Sequence, residues 1–144
     1  MRTRWVAAAA TVLALAGCGS DPPDYRPPDG ELVAGTAQVT VNGRDAGVTE
    51  AVQCNTTEWL TTITTGDAAS GVTAMLSNKE ELVAESVAIT NVGGFTGSYT
   101  AGNGGTSEVT MTGRTYDISG TADGFNTDRP SFRASGTFAI RVSC

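Results

Sequence analysis

FRASGTFAIRVSC, from Phe132 to Cys144, is the stretch whose reading decides the fold. Phe132, Ala134, Gly136, Phe138, Ile140, Val142 and Cys144 fall on one side of an extended chain. Arg133, Ser135, Thr137, Ala139, Arg141 and Ser143 fall on the other. Successive strand side chains point to opposite faces, so a two-residue period held this long predicts one face in a core and one in solvent. No segment after Cys18 sustains the 3.6-residue period of an amphipathic helix.

Further upstream the same alternation recurs in short pieces. Tyr116 and Ile118 lead a strand preceded by Gly113-Arg114, which fits a two-residue hairpin turn. Ser107, Val109 and Met111 share a face, after the turn-rich Gly102-Asn103-Gly104-Gly105. Phe95, Gly97 and Tyr99 form another face. Val83, Val87 and Ile89 form one more, interrupted by Glu85, and Val72, Ala74 and Leu76 another. Trp59 to Thr65 is Thr-rich and β-branched, and its Thr residues read as solvent-facing, with O-glycosylation the alternative. Val48, Val52 and Cys54 share a face that Glu50 breaks. Val33, Gly35, Ala37, Val39 and Val41 precede Asn42-Gly43, a strong hairpin signal. Short strands at such spacing predict an all-β antiparallel sandwich or barrel-like domain of about eight strands over residues 32–144.

Composition narrows the functions open to such a domain. The formal charge of -6 argues against nucleic-acid binding, which needs clustered Lys and Arg. The absence of His removes Ser-His-Asp and Cys-His catalysis and His-ligated zinc. No cofactor motif is present, and no cofactor is expected.

The N-terminus reads as a lipoprotein export signal over residues 1–17. Arg2 and Arg4 precede the apolar run Trp5 to Ala16, which is shorter than the roughly 20 residues a membrane span needs. Leu15-Ala16-Gly17-Cys18 then resembles the bacterial lipobox: small residues fit a signal peptidase, and the Cys18 thiol takes a diacylglycerol chain. Two or more acyl chains give stable anchoring at about 0.8 kcal/mol per buried CH₂. The expected location is therefore the cell membrane, lipid-anchored on its extracytoplasmic face, with the membrane as partner. Residues 18–31 form the lipidated Cys and a Pro-rich linker, with Pro22-Pro23 and Pro27-Pro28 favouring an extended spacer of about 3 Å per residue. The acidic body is expected to stand off the surface.

With Cys18 consumed by lipid, Cys54 and Cys144 are the only pair left for an intramolecular bridge, and both sit on faces read as inward. Exported proteins meet oxidising compartments, so a disulfide is expected. A two-Cys metal site would lack ligands, and no metal is expected.

Candidate chemistry elsewhere is sparse. Asp123, Asn126 and Asp128 cluster in ADGFNTDRP, read as a solvated loop because the ordered ligand spacing of a calcium loop is missing. Glu50 and Glu85 interrupt apolar faces and are the candidates for paired carboxylates. Lys79 lies in the polar stretch SNKEE and reads as exposed. No catalytic residues are assigned.

Val41-Asn42-Gly43, Gly47-Val48-Thr49, Val52, Cys54, Glu85-Ser86-Val87, Asn91-Val92, Gly97-Ser98-Tyr99-Thr100, Gly102, Tyr116, Ile118, Gly120-Thr121-Ala122, Gly124, Phe138, Ile140, Val142 and Cys144 occur in an order and spacing that resembles the mycobacterial nineteen-kilodalton lipoprotein antigen family. The resemblance implies an acylated envelope protein, exposed to hosts and their innate lipopeptide receptors, with no established enzymatic site. That family has a Thr-rich, glycosylated segment after the lipid, whereas this chain is Pro- and Asp-rich there. Two functions follow as expectations. One is a non-catalytic, lipid-anchored surface antigen or adhesin; the other is a periplasmic carrier binding a lipid or another ligand, which would need an apolar pocket of several hundred cubic ångströms.

Overall fold

The computed structural model describes residues 25–144, so the signal, the Leu15-Ala16-Gly17-Cys18 box and the first part of the linker lie outside the described residues. There are ten strands: β1 Thr36–Val41, β2 Arg44–Thr49, β3 Val52–Thr57, β4 Leu60–Gly66, β5 Gly71–Ser77, β6 Val83–Val92, β7 Phe95–Thr100, β8 Ser107–Thr112, β9 Thr115–Asn126 and β10 Ala134–Ser143. All pair antiparallel in one sheet ordered β2-β1-β10-β9-β7-β6-β5-β4-β3, with β8 also on β9. No helix occurs among the described residues. The chain is all-β, as its alternation predicts.

The two outer strands of that order are halves of one extended run. β2 pairs with β1, and β3 pairs with β4. Only Glu50 and Ala51 lie between the halves, and Ala51 accepts a bond from the Gly66 amide at 2.9 Å. The run therefore leaves one edge of the sheet and enters the other, curling the sheet into a nearly closed barrel. This is why the strands number ten rather than about eight, and why Glu50 breaks the apolar pattern. Closure of this kind removes long free edges that would otherwise template aggregation.

β10 sits against β1 along one side and β9 along the other, in unbroken register from Ala134↔Gly124 to Ser143↔Thr115. Gly136, Phe138, Ile140 and Val142 are buried, as the final alternation predicts. Phe132 is 71% exposed, because it precedes the strand and its face has nothing to cover it. Asn42 and Gly43, with φ of 52° and 74°, turn β1 into β2 through the left-handed conformation that suits a two-residue hairpin. Gly113-Arg114 joins β8 to β9, with Thr112 opposite Thr115.

The core combines Ala37, Val39 and Val41 of β1, Ile63, Val72, Ala74 and Leu76 of β4 and β5, Val87, Ile89 and Val92 of β6, Phe95, Ile118, and the β10 residues. Phe95 is the largest fully buried side chain. Ideal Cβ atoms placed on Gly97 and Gly136 would lie 2.7 and 2.8 Å from its Cζ, so the ring occupies the space a side chain would need at Gly136, and the ring together with the Asp123 carbonyl at 2.8 Å does so at Gly97.

Several face readings change: Val33, Val48 and Met111 are exposed rather than on a core face, and Ser143 is buried rather than in solvent. Two further changes have a local cause. In β6, Met75 pairs with Ser86 while Leu76 pairs with Ala84, so Glu85 is a β-bulge. The extra residue flips the parity, burying Ala84 and leaving Val83 exposed rather than on the core face. In β4, Thr61 and Thr65 flank Ile63 on the buried face instead of facing solvent. Thr61 can be buried because its hydroxyl shares a 3.0 Å hydrogen bond with that of Thr56 across the strand pair.

The chain reaches the barrel through a strap. Arg141 Nη2 donates to the Gly30 carbonyl at 2.7 Å, and the Leu32 amide donates to the buried Thr115 hydroxyl at 2.9 Å. The Arg114 amide donates to Glu31 Oε1 at 3.3 Å.

Candidate functional site

Cys54 and Cys144 form a disulfide with their Cα atoms 5.9 Å apart, across 90 positions of sequence. Cys54 stands opposite buried Ile63, and Cys144 continues the parity of buried Val142, so both have the inward register. Neither is buried, however, because β3 has a neighbour on one side only and Cys144 lies past the end of β10. The bridge fastens β3, the second half of the closing run, to the chain's end. Cys18, the lipidation candidate, lies outside the described residues.

The acidic candidates do not converge. Glu50 is exposed at the break between β2 and β3, and Glu85 is exposed at the bulge of β6, with β4 and β5 between β3 and β6. Asp123 belongs to β9, which continues to Asn126, so the first part of ADGFNTDRP is strand and not loop. The Ser135 hydroxyl donates to Asp123 Oδ1 at 3.0 Å, which ties that carboxylate to the outer face of β10. No cluster of three or more His, Cys, Asp or Glu suited to a metal occurs among the described residues. Asp67, in the β4–β5 loop, accepts backbone N–H bonds from Ser70 at 2.9 Å and Ala69 at 2.8 Å. These bonds, that of Ser70 first, hold its carboxyl below the usual carboxylate range. Their role is to shape a turn.

The surface has broad grooves. One of about 680 Å³ lies on the outer face of β3, β4 and β5, among Gln53, Asn55, Thr57, Thr62, Thr64 and Met75. Another of about 570 Å³ lies at the β2–β3 break, among Glu50, Ala51, Gln53, Gly66, Asp67 and Thr73. Polar and apolar groups share both linings, with Val52 and Val72 in one and Leu60 and Met75 in the other, and both are open grooves, unlike the mainly apolar wall of a lipid carrier's pocket. A smaller one of about 290 Å³, reaching Val39 and Val92, lies where β2 approaches the β4–β5 loop.

One surface pairing went unread in the sequence. Lys79 sits 5.1 Å over the ring of Trp59, joining the β5–β6 loop to the β3–β4 turn. The signal for it was the short turn Glu58-Trp59 beside a strand end, with the chain's single Lys on a neighbouring loop.

The chain has relatives along its whole length. The family profile described as Mycobacterium 19 kDa lipoprotein antigen matches residues 30–144. A protein of Mycobacterium indicus pranii named as a lipoprotein is 40% identical over 147 residues, covering 100% of both chains. One from Mycobacterium avium subsp. hominissuis, also named as a lipoprotein, is 34% identical, covering 99% of this chain and 94% of its own. Lipoprotein LpqH of Mycobacterium tuberculosis is 36% identical over 108 residues, 74% of this chain and 68% of LpqH. With a profile match running from the strap at Gly30 to the bridged Cys144, the chain belongs to the mycobacterial 19 kDa lipoprotein antigen family.

Proposed function

We propose that the protein is a non-catalytic surface antigen of the cell envelope, held on the extracytoplasmic face of the membrane by acyl chains on Cys18. Its barrel is a rigid display scaffold for adhesion, and its acylated N-terminus is the part that host innate lipopeptide receptors engage. The observation that carries this reading is the combination of the Leu15-Ala16-Gly17-Cys18 box with family membership over residues 30–144. Support comes from the two carboxylates that interrupt apolar faces, Glu50 and Glu85, which are exposed on strands separated by β4 and β5 and do not face each other across a cleft. Outward loops on a stiff β scaffold are where recognition usually sits.

Expression of the wild-type chain and Cys18→Ala in a mycobacterial host tests this. The wild type should partition into detergent and stimulate reporter cells bearing a lipopeptide receptor, and Cys18→Ala should do neither. Equal stimulation by both would overturn the receptor reading. Hydrolytic turnover by the folded protein that single carboxylate-to-amide changes abolish would overturn the non-catalytic one.

A further inference from the structure

Antiparallel pairing throughout the sheet fixes which segments meet at each end of the barrel. β1 starts, and β3, β5, β8 and β10 finish, at one end. That end therefore gathers the approach to β1 at Val33, the turn Glu58-Trp59, the β5–β6 loop with Lys79, and the turn Gly113-Arg114. The opposite end holds Asn42-Gly43, Gly93-Gly94 and the loop before β10.

Exposed large apolar side chains are unevenly shared between the two. Val33, Trp59, Val83 and Met111 all belong to the first end, each from a different segment. Val48 and Met75 lie part-way along their strands, Tyr25 precedes the strap and belongs to neither end, and Phe132 alone marks the opposite end among the described residues. Trp59 is 41% exposed and Met111 47%, so neither is a core residue with a small opening. Trp59 carries Lys79 on its ring, an apolar body beside a cationic head. Trp and Lys favour the water–lipid boundary, the ring for its amphipathic character and the long side chain for its reach toward headgroups.

The tether leaves from this same end. The strap bonds of Gly30, Glu31 and Leu32 fall on Arg141, Arg114 and Thr115, at the close of β10 and around the β8–β9 turn. The twelve peptide steps from Cys18 to Gly30, the first residue bonded to the barrel, reach at most about 43 Å even when fully stretched. A short tether makes contact with the anchoring leaflet intramolecular, so a modest apolar contact is enough to hold it.

We propose that this end of the barrel docks on the leaflet that holds the anchor, with Trp59, Val33, Val83 and Met111 seated at the headgroup boundary. The proposal rests on acylation of Cys18. It replaces the stand-off expected from net charge: Glu58, Glu80 and Glu81 share this end, so the contact is apolar and suits a zwitterionic surface better than an anionic one. A second copy of the chain is the competing occupant.

Trp59 is the only Trp of the mature chain, because Trp5 leaves with the signal. The acylated protein is reconstituted in phosphatidylcholine vesicles whose acyl chains carry bromine at shallow positions. Trp59 emission should fall roughly two-fold, since a ring seated about 5–10 Å into the boundary meets those bromines. A Trp59→Phe, Phe132→Trp variant, which moves the reporter to the opposite end, should stay unquenched. Unquenched Trp59 in protein that floats with the vesicles overturns docking while leaving the anchor intact. So does a blue shift without bromine quenching that grows with protein concentration, which would mark a second copy as the occupant. Protein that neither floats nor carries acyl mass on Cys18 overturns the anchor, and docking falls with it.

Discussion

Gly136→Ala probes the packing at the centre of the barrel. Gly136 is not among the left-handed residues, so its backbone accepts Ala without strain. On backbone grounds the change should stabilise by about 0.4–1 kcal/mol, by restricting the unfolded chain. The added methyl, however, would lie 2.8, 2.9 and 3.0 Å from Cζ, Cε1 and Cε2 of Phe95. Carbon contacts are comfortable at about 3.5–4.0 Å, so the overlap approaches an ångström. The ring has little room to retreat, because Phe95 is fully buried in the core. Overpacking of this kind costs about 1–3 kcal/mol. The net loss should lower the thermal midpoint by about 3–5 °C for each kcal/mol in a domain of this size. Urea unfolding at constant slope is the assay, run with and without Phe95→Leu. In the Phe95→Leu background the methyl fills space that the smaller side chain vacates, and the penalty should shrink or change sign. A coupling of about 1 kcal/mol or more is expected for residues in contact. A neutral Gly136→Ala, or equal penalties in both backgrounds, would refute the claim that the ring dictates this glycine.

Reduction of Cys54–Cys144 should cost about 4–5 kcal/mol by the chain-entropy estimate for a loop of 90 residues, read as a drop in urea midpoint on adding a dithiol. A loss below about 1 kcal/mol would mean that the bridge adds little to a barrel already closed by the β2–β3 run. Asp67→Asn should lower stability at neutral pH and not in strong acid. The Asp67 carboxyl is depressed in the folded state, so its contribution is present above the unfolded carboxylate range and is lost as pH falls through the folded value. Urea midpoints of both proteins at pH 7 and in strong acid check the sign. Arg141→Ala removes a 2.8 Å ion pair with Asp117 and the bond to the Gly30 carbonyl. Both charged groups are partly exposed, so global stability should fall by no more than about 1 kcal/mol, while proteolysis ahead of Glu31 should rise clearly.

Much of the fold was legible because strand alternation is a local signal. The β10 pattern, the Asn42-Gly43 turn and the Gly113-Arg114 turn needed only neighbouring residues to be read. One misplaced face traces to a one-residue event. The bulge at Glu85 shifts Val83 off the core face, and sequence alternation alone cannot show which strand absorbs an extra residue. Burial of Thr61 and Thr65 depends on partners in other strands, which composition does not reveal. Alternation gives the register of Cys54 but not its exposure, which is set by the position of β3 at the edge of the sheet order. The contact of Lys79 with Trp59 joins two loops that meet only once the barrel forms.

Mass spectrometry of the N-terminal peptide from envelope-extracted protein tests the lipid-anchored reading most directly. A chain beginning at Cys18 and carrying a diacylglycerol mass on that residue is the expected result. A chain that retains Arg2 and Arg4, or that starts elsewhere with an unmodified Cys18, would contradict it.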